Sequence, residues 1–196
     1  MAIASVNFTG QCSRRLKMSD PLYFEDLLPG ASWRSPARTL TETDIVGFAG
    51  MTGDYDPLHV DREFAAETPY GRPIAHGLLG LSLMAGLSST CPRVRTLALV
   101  RLDQWHFHHP IYVGDTVHVV TQVESAAPRG RRSGEVVWLR KLINQRGECV
   151  QSGRISTLVS SQSFLPRSRK TVPEMKSGKL RPNPAKVEAE TDEVLG

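Results

Sequence analysis

The residues best suited to chemistry lie in one short stretch, Gly53-Asp54-Tyr55-Asp56-Pro57-Leu58-His59-Val60-Asp61. Asp54 and His59 sit five positions apart, and Gly53 and Pro57 bend the chain between helices, so a curled loop aims both side chains at one point. A carboxylate beside an imidazole fixes the ring's tautomer, and the two together can hold a water, remove one proton and deliver another. The plain alternative is a capping Asp and a packing His. Asp56 has its own alternative, a turn-stabilising residue ahead of Pro57.

Something must position that pair, and the flanking sequence supplies it. Thr41 ahead of Glu42-Thr43-Asp44 and an apolar run predicts a capped helix, and Asp61 predicts a cap on a second, short helix from Arg62 to Glu67. From Gly77 the chain reads Leu78-Leu79-Gly80-Leu81-Ser82-Leu83-Met84-Ala85-Gly86-Leu87. It is apolar on almost every side, which predicts a buried central helix. Residues 94–160 alternate. Val117, Val119, Thr121 and Val123 share one face, while Val136, Trp138, Arg140 and Leu142 form a second row. Turns at Pro128-Arg129-Gly130 and Arg146-Gly147 are too short for parallel crossovers, so the strands form an antiparallel sheet. A buried helix followed by such a sheet is an α+β plan, and the sheet wrapped around the helix is a hot-dog arrangement.

Read together, Gly53-Asp54-Tyr55-Asp56-Pro57-Leu58-His59, Pro73-Ile74-Ala75-His76-Gly77 and Pro110-Ile111-Tyr112-Val113-Gly114-Asp115-Thr116-Val117 resemble the hydratase motif and the strand–turn–strand segment of the MaoC-like acyl dehydratases. That family includes the (R)-specific enoyl-CoA hydratases. The resemblance runs from about Leu22 to Ser160. It implies a hot-dog homodimer that interconverts trans-2-enoyl-CoA and (R)-3-hydroxyacyl-CoA, with no cofactor beyond the CoA of its substrate and no metal. Asp54 and His59 match the catalytic pair. Which of them moves which proton stays open, because a coupled pair shares its titration. Asp56 replaces the family's usual Asn. Asp56, Pro57, His76, Leu78 and Ser82 are the candidate substrate-binding positions, and His76 also reads as a structural residue that orients the loop.

Gly77 stands on a physical argument as well. Hydration builds negative charge on the thioester oxygen, and the first N–H groups of a helix have no intrahelical partners. Gly77 therefore reads as the oxyanion donor, with close packing against the loop as its alternative. One departure bears on activity: some hydratases of this family carry a serine deep on the central helix, where this chain has Ala85.

Composition narrows the classes. The net charge of +4 comes from the ends, since residues 1–17 carry +3 and residues 166–196 carry +2, leaving −1 for residues 18–165. A nucleic-acid binder concentrates basic charge on a folded face, so that class is excluded. No apolar run of about 18 residues predicts a membrane span. Cys12, Cys91 and Cys149 are odd in number and widely spaced, as in a reducing, cytoplasmic setting. Residues 1–20 read as a flexible leader, with organelle targeting an alternative for residues 1–17 and Met18 a candidate start. Residues 21–164 read as the domain, and residues 165–196 as a mobile Pro/Lys/Glu-rich tail.

His106 and His108 fall on one strand face and His109 on the other, without a local Cys or carboxylate, so a structural or dimer-contact role is expected. Arg129, Arg131 and Arg132 read as a solvated turn, with CoA phosphate contact the alternative. Other hot-dog enzymes, thioesterases and acyl-carrier-protein dehydratases, draw an acid from the central helix, and Gly77 to Ser89 contains none. A non-catalytic acyl-thioester-binding or scaffolding module remains the alternative from a different class.

Overall fold

The computed structural model describes residues 20–164. The expected leader and tail fall outside them, but for Asp20. Four long or medium strands, β3 (Thr96–Phe107), β4 (Thr116–Pro128), β5 (Ser133–Ile143) and β6 (Cys149–Ser160), build an antiparallel sheet. The short strands β1 (Ser32–Arg34) and β2 (Arg38–Thr39) both pair with β4, giving the order β1-β4-β5-β6-β3 with β2 beside β4. The two expected turns are present, with Gly130 and Gly147 at positive φ, where a side chain would be strained.

Both rows read from the sequence face the core. Val117, Val119, Thr121 and Val123 are buried, as are Val136, Trp138 and Leu142. Arg140, in the same row, is only half-buried. Three helices of the first half carry the polar loop: α1 (Glu42–Thr52), α2 (Pro57–Val60) and α3 (Arg62–Ala66). Thr41 caps α1 with a full capping box to Asp44, and Asp61 caps α3 through the N–H groups of Glu63 and Phe64. Helix α3 closes at Ala66, one residue short of the expected Glu67.

Helix α4 (Gly77–Ser88) lies on the sheet, and its Leu79, Leu83 and Met84 join Ile45, Ile111, Val117, Val119, Leu142 and Val150 in the main core. The expectation of burial on every side needs correction. Leu78 is 59% exposed, and Ser82, Ala85 and Gly86 are exposed too, because the sheet covers only one side of the helix. The approach on that covered side is close. A Cβ on Gly80 would run into the Gln151 side-chain amide and come within 2.9 Å of Ile111 Cδ1.

Candidate active site

Gly53, left-handed at φ 79°, ends α1 and turns the chain toward Asp54. Asp54 is exposed, and one of its carboxylate oxygens accepts from the Asp56 N–H at 3.4 Å. The loop is shorter than its sequence implied, because Pro57 at the first helical position starts α2, so that His59 sits on a helical turn. Asp56 caps that turn, its Oδ1 accepting from the Leu58 N–H at 2.9 Å. The structure therefore uses Asp56 and Pro57 to build the turn that presents His59.

His59 Nδ1 lies 2.8 Å from the Ile74 carbonyl. A carbonyl only accepts, so Nδ1 carries a proton, and in the neutral ring the lone pair is on Nε2. His76 is bonded the same way through its other nitrogen: Nε2 donates to the Asp54 carbonyl at 2.9 Å, tying the start of α4 to the loop that carries Asp54. The two rings lie against each other with centroids 3.8 Å apart, and Phe48 packs on the far side of His76 at 5.0 Å. His76 is buried, and its Nδ1 has no hydrogen-bond partner among the described residues.

A carboxylate oxygen of Asp54 and one ring nitrogen each of His59 and His76 lie within 4.8 Å of one another, the one such cluster of three ligand-type residues among the described residues. Two of the four ring nitrogens are occupied by carbonyls, so the free acceptors are His59 Nε2 and the buried His76 Nδ1. These residues are also the ones able to hold a metal ion or a water. His106 and His108 are not part of the cluster. Their rings stack at 5.9 Å, and His108, beyond the end of β3, is bonded through Nε2 to Ser152 Oγ at 2.8 Å.

Gly77 opens α4. Neither its N–H nor that of Leu78 has a hydrogen-bond partner among the described residues, and His76 supplies no side-chain cap. Gln151 on β6 anchors this first turn, donating from Nε2 to the Gly77 carbonyl at 3.0 Å. His59 and Gly77 line the same cleft of about 240 Å³, together with Tyr70, Phe107 and Gln151. Beneath it, the Ala75 N–H donates to Ile111 at 2.8 Å, and the Tyr112–Asp115 turn is closed by the buried Asp115 carboxylate. Burial raises the Asp115 pKa, but the bonds from Gln145 and Tyr112 and the Arg146 charge outweigh it and hold that carboxyl below the ordinary range.

Of the other expected positions, Leu78 projects to the exterior, and Ser82 spends its hydroxyl proton on the Leu78 carbonyl at 2.9 Å while facing a separate cavity. The basic turn is partly paired, Arg129 reaching Glu135 at 2.6 Å. Sequence reasoning did not find the Ile74 carbonyl or Gln151. Both act across long separations, and neither residue type announces such a role.

The family model of the MaoC-like domain matches residues 27–144, more than half of the chain. The chain belongs to that family. As a MaoC-like protein it is 38% identical over 113 residues to a 3-hydroxybutyryl-CoA dehydratase of Methylorubrum extorquens, a match covering 57% of this chain and 70% of that protein. It is 31% identical over 134 residues to an (R)-specific enoyl-CoA hydratase of Rhodospirillum rubrum, covering 68% of this chain and 84% of the relative. Among solved structures, a MaoC-like dehydratase from Rhodospirillum rubrum superposes with a TM-score of 0.66 at 27% identity, over 72% of this chain and 98% of that one. A Mycobacterium tuberculosis protein with a double hot-dog fold superposes at 0.65 with 23% identity, over 85% of this chain and 53% of that one. The fold is thus the expected α+β hot-dog.

Proposed function

We propose that this MaoC-like protein is an (R)-specific hydro-lyase, adding water to trans-2-enoyl-CoA thioesters and removing it from (R)-3-hydroxyacyl-CoA. The observation that carries the reading is that His59, bonded through Nδ1 to the Ile74 carbonyl, and Gly77 line one cleft, with an Asp54 carboxylate oxygen within 4.8 Å of a His59 ring nitrogen. A water held between Asp54 and His59 Nε2 loses a proton as its oxygen bonds the β-carbon. The C=C π electrons move toward the thioester carbonyl, whose oxygen takes up negative charge at the Gly77 N–H. The released proton returns through the Asp54/His59 pair to the α-carbon on the same face, so no net proton is exchanged. His76 is a positioning residue that fixes the catalytic loop through the Asp54 carbonyl.

The same reading includes a cytoplasmic homodimer. Strand β3 is an unpaired sheet edge, and its Leu97, Leu99, Val100, Leu102 and Phe107 are 40–63% exposed. Such an edge is a template for a second strand, and a second copy of β3 would cover it together with the open face of α4. No helix among the described residues is long and apolar enough to cross a membrane.

The test is loss of enoyl-thioester absorbance when purified protein is added to crotonyl-CoA, with His59→Ala as control. Hydration that disappears in the variant supports the reading. Well-folded wild-type protein without activity on short, medium or branched enoyl-CoA would instead point to a binding module, with Ala85 the first residue to examine.

A further inference from the structure

The core-facing row of β5 contains one charge. Val136, Trp138 and Leu142 are at most 2% exposed, and Arg140 stands between the last two on the same face. Its guanidinium carbon lies 5.9 Å from the centre of the Trp138 ring, and its Nε is buried without a hydrogen-bond partner. Among the described residues no carboxylate is paired with it. Burial alone pushes its pKa down to about 10. Arg140 is half-buried as a residue with its Nε fully enclosed, and a partly desolvated cation without a partner is costly to a fold, where a well-packed apolar side chain would be more favourable. The arrangement makes sense when a ligand supplies the missing anion.

A place for that ligand is present. Arg140 lines a mainly apolar cavity of about 430 Å³ between the sheet and α4, with Leu81, Ala85, Leu99, Leu102 and Thr157 among its walls. Leu81, Ala85 and Ser88 follow Gly77 by four, eight and eleven residues and so share its helix face. At 1.5 Å per residue, Leu81 and Ala85 lie about 6 and about 12 Å along the axis from Gly77. The cavity shares no lining residue with the cleft at Gly77, and the α4 face that carries Leu81 and Ala85 is the path by which an acyl chain held at the Gly77 N–H would reach Arg140.

We propose that Arg140 is a specificity-determining residue whose guanidinium binds a carboxylate carried by the acyl chain, making the preferred substrate a CoA monothioester of an unsaturated dicarboxylic acid. This rests on the hydratase reading for its chemistry but not for its test. Saturated thioesters cannot be hydrated, so their binding reports the cavity alone.

Calorimetric titration of the full-length protein compares two matched pairs, succinyl-CoA with butyryl-CoA and adipyl-CoA with hexanoyl-CoA. A charge-assisted bond in a buried site gives the carboxylated member an advantage of about tenfold to a hundredfold in at least one pair. Arg140→Met abolishes that advantage while leaving the neutral thioester's affinity within about threefold, and Arg140→Lys keeps part of it. Equal or tighter binding of the neutral member in both pairs overturns the proposal, and this comparison needs only wild-type protein should Arg140→Met fail to fold. Absence of turnover of both crotonyl-CoA and the CoA monothioester of fumaric acid, alongside a clear carboxylate preference, would count against the hydratase reading alone.

Discussion

Replacing Gly80 with alanine tests whether the contact between α4 and β6 sets the position of the Gly77 N–H, the proposed oxyanion donor. The added methyl overlaps the Gln151 amide and comes within 2.9 Å of Ile111 Cδ1, so Gln151 must swing away and its bond to the Gly77 carbonyl is lost. Overpacking of this kind costs about 1–3 kcal/mol and the lost bond about 1 kcal/mol. Alanine regains about 1 kcal/mol through its better helix propensity. The net loss of about 1–3 kcal/mol lowers Tm by roughly 2–12 °C for a domain of this size. Activity should suffer more than stability, since a shift of about 1 Å in a catalytic group costs on the order of a hundredfold. Thermal denaturation followed by circular dichroism and the crotonyl-CoA assay measure the two effects. Gln151→Ala added to Gly80→Ala should recover part of the Tm, because the overlapping amide is gone. Strict additivity of the two substitutions, or wild-type turnover by Gly80→Ala, would refute the idea that this contact positions Gly77.

Four other outcomes follow. Asp54→Asn should cut kcat/KM for crotonyl-CoA by about 10² to 10⁴-fold at unchanged Tm, since Asp54 is exposed and supports no core contact; full activity would remove it from the mechanism. Thr41→Ala breaks the α1 capping box and should cost about 1 kcal/mol in urea denaturation. Asp115→Asn removes a carboxyl whose folded pKa is depressed, chiefly by the bonds from Gln145 and Tyr112 against the opposing effect of burial. That carboxyl stabilises the fold above the unfolded pKa of about 3.9 and ceases to do so as pH falls through the lower folded value. The stability gap between wild type and Asp115→Asn should therefore be full at pH 7 and close below about pH 4. Leu97→Lys/Leu99→Lys should yield a monomer by light scattering; a retained dimer would place the subunit contact elsewhere.

Much of this arrangement was legible because local rules dominate it. The Thr41 and Asp61 caps, the glycine turns at Gly130 and Gly147 and the alternating rows of β4 and β5 are short-range patterns, and each forms where the sequence indicates. The proximity of Asp54 and His59 was legible for the same reason. What stayed hidden depends on contacts far apart in sequence. Gln151 reaches Gly77 across 74 positions, and His59 reaches the Ile74 carbonyl across 15. Helix α4 looked buried on all sides because periodicity reports apolarity and not what covers each face. Arg140 read as one more member of an alternating row, since spacing assigns a face without revealing whether a charge there has a partner.

Three of the groups that define the site belong to the main chain: the Ile74 and Asp54 carbonyls that orient the two imidazoles, and the unbonded Gly77 amide. Their chemistry is the same whatever side chain hangs from the residue. An alanine scan through positions 74 to 77 would thus leave the Ile74 acceptor untouched, and a tolerant position 74 would say nothing against its part in the site. Backbone edits are the informative perturbations here. An ester in place of the amide at Gly77 deletes the donor outright, and among the twenty coded residues only proline, which lacks the N–H, removes the same group, at the cost of adding a ring.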